Sequence, residues 1–165
     1  MPKSDPLEIL LAHDQWATRQ ILDACTKLSD DQFHQRFEIG RGSLHDTLTH
    51  ILAAMRVCAQ LLAGQQPGRR LDEEGRRSIE ELLPLADICS RELAAEAHRR
   101  PLGEMVSRVR DGKTYHFTRG AVLTHVTTHG MHHRAQCLNM LRQLGVRPLP
   151  PSSVMEWAAM VDGGS

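Results

Sequence analysis

At 165 residues and 41% hydrophobic content the chain suits one domain with a real core, and residues 1–165 are read as a single unit. Its 20 basic and 20 acidic side chains cancel, so nothing steers it towards nucleic acid or an anionic membrane. Met1–Leu10 has no apolar run long enough for a signal peptide, and no later stretch approaches the roughly 18 apolar residues of a membrane span, which makes a cytoplasmic protein the expectation.

Asp5-Pro6 supplies a cap and a first-turn proline, and Leu7, Leu10, Leu11, Trp16, Ala17, Ile21, Leu22 and Cys25 then keep helical spacing to Lys27. Ser29 to Gln32 can cap a short helical turn through Phe33 and Phe37, closed by the loop at Gly40 and Gly42. Ser43 can cap a second long helix, whose main stripe is Leu44, Leu48, Ile51, Leu52, Met55, Cys58, Ala59 and Leu62. His50 lies off that stripe, on a second row with Thr47, Ala54, Val57 and Leu61, and the row is free to face a neighbouring helix.

Residues 65–77 are rich in charge and glycine and read as an exposed linker. Ser78 with Glu81 makes a capping box for a third long helix reaching Arg100, with Pro84 inside it as a site for a kink. Over 104–117 the period changes, and Asp111-Gly112 between two strand-like runs signals a hairpin. A fourth long helix spans Thr118 to Leu144, about 27 residues and so roughly 40 Å. Pro148, Pro150 and Pro151 break the chain, and Ser152 and Ser153 can cap a short terminal helix, Val154–Met160. The fold class expected is all-α, a four-helix bundle with a small β-hairpin before the last long helix.

Ten histidines against six Phe, Trp and Tyr residues invert ordinary core usage, so the histidines need a reason. Four of them, His125, His129, His132 and His133, fall in Thr124–Gln136. His129 and His133 lie about 40° apart on the helix, their Cβ atoms roughly 6 Å apart, as two imidazoles gripping one metal ion require. With Val122, Leu123, Val126, Cys137, Met140, Leu141 and Leu144 as the buried stripe, His133 falls about 30° and His129 about 70° from its centre. His125 and His132 fall beyond about 100° and are read as peripheral.

Cys25, Cys58, Cys89 and Cys137 form no C-x-x-C pair and read as buried thiols of a reducing compartment. No E-x-x-H occurs, which counts against a di-iron site, and no H-E-x-x-H, which removes the zincin protease. What remains is a mononuclear site from His129, His133 and a further ligand on another helix.

The segments His13–Leu22, Gly42–Leu52, Leu123–Gln136 and Leu141–Gly145, in this order and spacing, resemble the DinB/YfiT-like superfamily of bacterial damage-inducible metalloproteins over most of the chain. The resemblance implies a four-helix bundle in which one histidine of the second helix and two of an H-x-x-x-H-R motif bind one divalent metal ion, zinc or nickel. Those positions fall on His50, His129 and His133. Ala135 departs from the glycine usual after the arginine, and as a small residue it is expected to keep close helix packing.

Three histidines leave a coordination position open, as in catalytic zinc sites. The resemblance therefore implies a metal-dependent transferase, isomerase or hydrolase using a low-molecular-weight thiol and a small-molecule substrate, and a second copy of the chain as partner in a homodimer. The alternative is a noncatalytic stress-response protein whose metal is structural. Gln136, Asp14 and Thr47 are candidates to orient the ligand histidines, and Arg134 is either an anion-binding group or a solvent-facing arginine. Trp157 on the terminal segment is either a dimer contact or part of a lid on the bundle, and no general base is assigned.

Overall fold

The computed structural model describes residues 5–163; the ends of the 1–165 unit, including the start of Met1–Leu10, lie outside the described residues. In chain order the elements are α1 (Pro6–Cys25), α2 (Asp30–His34), α3 (Leu44–Leu62), a 3-10 turn (Leu71–Glu73), α4 (Ile79–Ala97), β1 (Met105–Arg110), β2 (Lys113–Thr118), α5 (Arg119–Gln143) and α6 (Val154–Asp162). Each helix starts where a side chain can take its free N–H groups. Asp5 accepts from Leu7 and Glu8, Ser43 from Asp46 and Thr118 from Ala121, while Ser29, Ser78 and Ser153 form reciprocal capping boxes with Gln32, Glu81 and Glu156. The third long helix stops at Ala97, short of the expected Arg100, and runs through Pro84.

The four long helices form the expected bundle. α3 packs on α4 and α5, and α1 packs on the same two from the opposite side. Ile21, Leu22, Leu48, Leu52, Leu82 and Met140 are fully buried between them, as are the thiols of Cys25, Cys89 and Cys137. Burying Leu, Ile or Met side chains of this kind stabilises the bundle by about 1.5–3 kcal/mol each.

Arg119, the first residue of α5, is 1% exposed. Its guanidinium donates to the carbonyls of Leu62 and Glu96, at the C-terminal ends of α3 and α4. One cation thereby satisfies the Leu62 carbonyl that the end of α3 leaves open and adds a second donor to the Glu96 carbonyl, which also accepts from Arg99 N–H.

β1 and β2 pair antiparallel through a two-residue turn in which Asp111 and Gly112 both take positive φ, 51° and 72°, as the Asp-Gly pair predicts. The hairpin rests on α3 and α5. Gln66 holds the outer edge of β1: its amide donates to the Ser107 carbonyl at 3.1 Å and accepts from Val109 N–H at 2.9 Å. At the other end of the molecule His13 donates to the Ser152 carbonyl at 2.9 Å and meets the Trp157 ring edge-on at 6.4 Å. Trp157 is thus buried, so α6 is a lid on α1, and the large exposed apolar side chains there are Val154, Met155, Met160 and Val161.

The 65–77 linker is not uniformly exposed. Leu71 is buried against α3, which folds Leu71–Glu73 into a turn and carries Asp72 to the bundle surface. No helix among the described residues is long and apolar enough to cross a membrane.

Candidate metal centre

His129 and His133 stand one turn apart on α5, with ring centroids 4.5 Å apart, and α3 brings His50 to 4.9 and 4.8 Å from the two rings. The second row of α3 faces α5, which is why a histidine off the main stripe reaches the pair. Potential ligand atoms of all three lie within 4.8 Å of one another, the one such cluster among the described residues. His50 Nε2 and His129 Nε2 are 3.1 Å apart. Two nitrogens bound at 2.0–2.1 Å to a tetrahedral zinc would be about 3.3 Å apart.

The opposite ring nitrogens explain the orientation. His50 Nδ1 donates to Asp72 Oδ2 at 2.8 Å, and Arg70 holds that carboxylate with two further hydrogen bonds of 2.9 Å. His133 Nδ1 donates to Gln136 Oε1 at 2.7 Å. With those protons committed, Nε2 of each ring offers a lone pair to the centre. His129 Nδ1 is buried without a partner, and without a cation the ring carries its proton on Nε2 and donates it to His50 Nε2. A cation at the centre would take the Nε2 lone pair of His129 and leave its proton on Nδ1. The donor set, three neutral imidazoles, fits a divalent ion such as zinc or nickel.

Beside His50 and His129 a cleft of about 390 Å³ opens between α3, α5 and the hairpin, with Ala54, Val57, Leu61 and Val122 on its walls. A larger groove of about 620 Å³ along the 36–42 loop reaches Asp72 but none of the three histidines.

The model of the DinB family matches residues 1–159 of the chain. The chain belongs to the DinB family. Two solved structures share the fold of this DinB protein. A DinB-like protein from Bacillus cereus ATCC 10987 superposes with a TM-score of 0.67 at 18% identity, over 86% of this chain and 92% of that one. A DinB-like protein from Bacillus subtilis gives 0.62 at 17% identity, over 87% and 97%. No curated protein matches the chain.

In this DinB chain the electrostatics of the centre are compatible with a bound cation. Burial first, then the neighbouring imidazoles of His133 and His50, depresses His129 to about 3. Burial also lowers His133, against the raising effect of its bond to Gln136. Both rings are therefore neutral at pH 7, the state a metal ligand must have. Burial raises the Asp72 carboxyl, but hydrogen bonds from Arg70 and His50 and their charges outweigh it and bring the group to about 2.

His125 and His132 are exposed and peripheral, as their angles predict. The His125 ring lies tilted beside His129 at 5.5 Å, and His132 accepts from Gln136 Nε2 at 3.1 Å. Of the orienting candidates Gln136 takes that role. Thr47 does not, its hydroxyl being buried with no partner, and neither does Asp14. Asp14 instead pairs with Arg134 in the interior, where Arg134 also donates to Thr18 at 3.2 Å. Arg134 is 3% exposed, which corrects both readings of it: it faces neither solvent nor a ligand, because a buried guanidinium needs the buried carboxylate. Ala135 is exposed, so it mediates no close packing. The close approach is at Gly130, where a Cβ would lie 2.6 Å from Asp14 Oδ1.

Asp72 was hidden by its setting in a polar stretch. The signal for it was Leu71, a lone apolar residue in the linker able to draw the next side chain inward.

Proposed function

We propose that this DinB protein is a metal-dependent transferase or hydrolase that uses a low-molecular-weight thiol, with one zinc or nickel ion held by His50, His129 and His133. The observation that carries the reading is the convergence of three imidazoles, two of them with the remaining N–H committed to Asp72 and Gln136, next to an open cleft. A divalent ion bound there supplies Lewis acidity and lowers the pKa of a bound water or thiol. The chain's own residues keep the imidazoles neutral, fix two of the three rings and wall the adjoining cleft with apolar side chains. A reducing cytoplasm is the compartment this reading needs, and four buried free cysteines are in keeping with it.

The test is elemental analysis of untagged protein purified without added metal, alongside His133→Ala, followed by a screen of thiols and electrophiles on the metal-loaded protein. Near one equivalent of zinc or nickel, lost in the variant, with metal-dependent turnover, is the expected result. Protein that refuses both ions on titration would sink the reading.

A second reading is favoured by the way the cluster joins α3 to α5: a noncatalytic protein whose ion ties the two helices together. Chelation would then lower the melting temperature with no turnover to lose. An ion present at 100 times its Kd stabilises by about 2.7 kcal/mol, which corresponds to roughly 5–10 °C in a domain of this size. A second copy of the chain is the remaining proposed partner, supported by the exposed Met155, Met160 and Val161 of α6, and light scattering reads it directly.

A further inference from the structure

The charges of this chain cancel overall, yet Arg41, Arg70, Arg108 and Arg110 gather around one recess of about 510 Å³ that His50 also lines. The acids among them do not neutralise the group. Asp72 is engaged by Arg70 and His50, and Glu73 is the one other carboxylate lining the recess. Arg110 meets Asp111 at 3.5 Å, where both side chains are largely in water and the contact is weak. Among the described residues Arg41 and Arg108 have no carboxylate partner.

The hairpin explains why the charges sit above an apolar floor. Alternation along β1 puts Val106, Arg108 and Arg110 on one face, and Val106 is buried opposite Phe117. Arg108, Arg110 and Phe117 line the same cleft as Val57, Leu61 and Val122 of α3 and α5. Gln66 fixes β1 at Ser107 and Val109, the residues on either side of Arg108, so that strand is held in register. An apolar cavity with a few convergent cationic groups at its mouth is the form of a ligand site, and guanidinium is the group best matched to carboxylate and phosphate.

We propose that this cleft binds an organic anion, its apolar body against Val57, Leu61, Val122 and Phe117 and its carboxylate or phosphate at Arg108 and Arg110, beside the histidine centre. The proposal rests on the metalloenzyme reading and deepens it, since it assigns the chemical class of the small-molecule substrate. Arg108 and Arg110 are specificity-determining residues in it, not catalytic ones.

Isothermal titration calorimetry on the zinc-treated and the metal-free protein tests it, with 4-phenylbutyrate, 4-phenylbutyl phosphate, the neutral 4-phenylbutan-1-ol and tailless acetate as ligands. The acid or the phosphate is expected to bind at least tenfold more tightly than both the alcohol and acetate, and whichever of the two binds better names the anion. R108Q/R110Q is expected to lose that tenfold preference while keeping the wild-type melting temperature and zinc stoichiometry. R108K/R110K should restore part of it, and R142Q on the far end of α5 should change nothing. Equal affinity for acid and alcohol, or an acid affinity that R108Q/R110Q leaves unchanged, overturns the proposal. Zinc uptake is read separately: protein that takes no zinc but prefers the anions through Arg108 and Arg110 sinks the metal reading alone.

Discussion

Asp72 touches no metal position, yet it decides where the His50 lone pair points, and Gln136 does the same for His133. Groups that orient ligand imidazoles are commonly worth about 10–100-fold in metal affinity. Asp72→Asn and Gln136→Ala are each expected to weaken zinc binding by that order in a competition titration against a chelating dye. A variant that holds zinc as tightly as wild type would remove the role assigned to that residue. Gly40 belongs to the same apparatus, because it adopts φ 58° and a Cβ there would lie 2.5 Å from Gln136 Oε1. Gly130 makes an opposite argument from helix propensity. Alanine in a helix interior is normally better than glycine by about 1 kcal/mol. Here the added methyl meets the buried Asp14–Arg134 pair, which must shift to admit it, and overpacking costs about 1–3 kcal/mol. Gly130→Ala is therefore expected to destabilise in urea unfolding; a gain in stability would show that the pair moves aside.

Individual elements owe their existence to short-range chemistry, and that is why so many were legible. Ser29, Ser43, Ser78 and Ser153 start helices where the sequence places caps, and Asp111-Gly112 turns the hairpin. The His129–His133 pair was legible too, since helical spacing alone puts the two rings together. What periodicity could not carry was contact between elements. His50 comes from family resemblance, Asp72 reads as linker, and Arg134, four residues from Gly130 and the partner of Asp14, reads as an anion-binding or solvent-facing group. Arg119 is of this kind as well: an arginine at the start of a helix looks solvated, and only the assembled bundle shows it closing the ends of α3 and α4. Arg119→Met keeps most of the volume and removes both donors. The Glu96 carbonyl keeps the Arg99 N–H, so leaving the Leu62 carbonyl unpaired should cost about 1–3 kcal/mol, measured by denaturant unfolding. A loss below about 1 kcal/mol would mean that water replaces the guanidinium.

For the molecule as a whole, several histidines tie stability to pH in one direction. Burial is the largest influence holding His45 below its usual value of 6.5; its Nε2 also accepts the Arg77 N–H at 3.0 Å, and His129 and His133 are lowered likewise. The folded rings stay neutral where the unfolded chain takes up protons, so their contribution is present above about pH 6.5 and is lost as pH falls below it. Metal-free protein should melt at progressively lower temperature from about pH 7.5 to pH 5, with a shallower slope in His45→Gln; a flat profile would show that the folded rings accept protons freely. Finally, the side chain of Gln66 does for β1 what a third strand would do. A two-stranded ribbon leaves a row of unsatisfied peptide groups along its rim, which is a template for another molecule's backbone. By occupying Ser107 and Val109, Gln66 denies that template to a neighbouring chain, so Gln66→Ala should raise self-association and fibril-dye binding at high concentration without lowering the fraction folded.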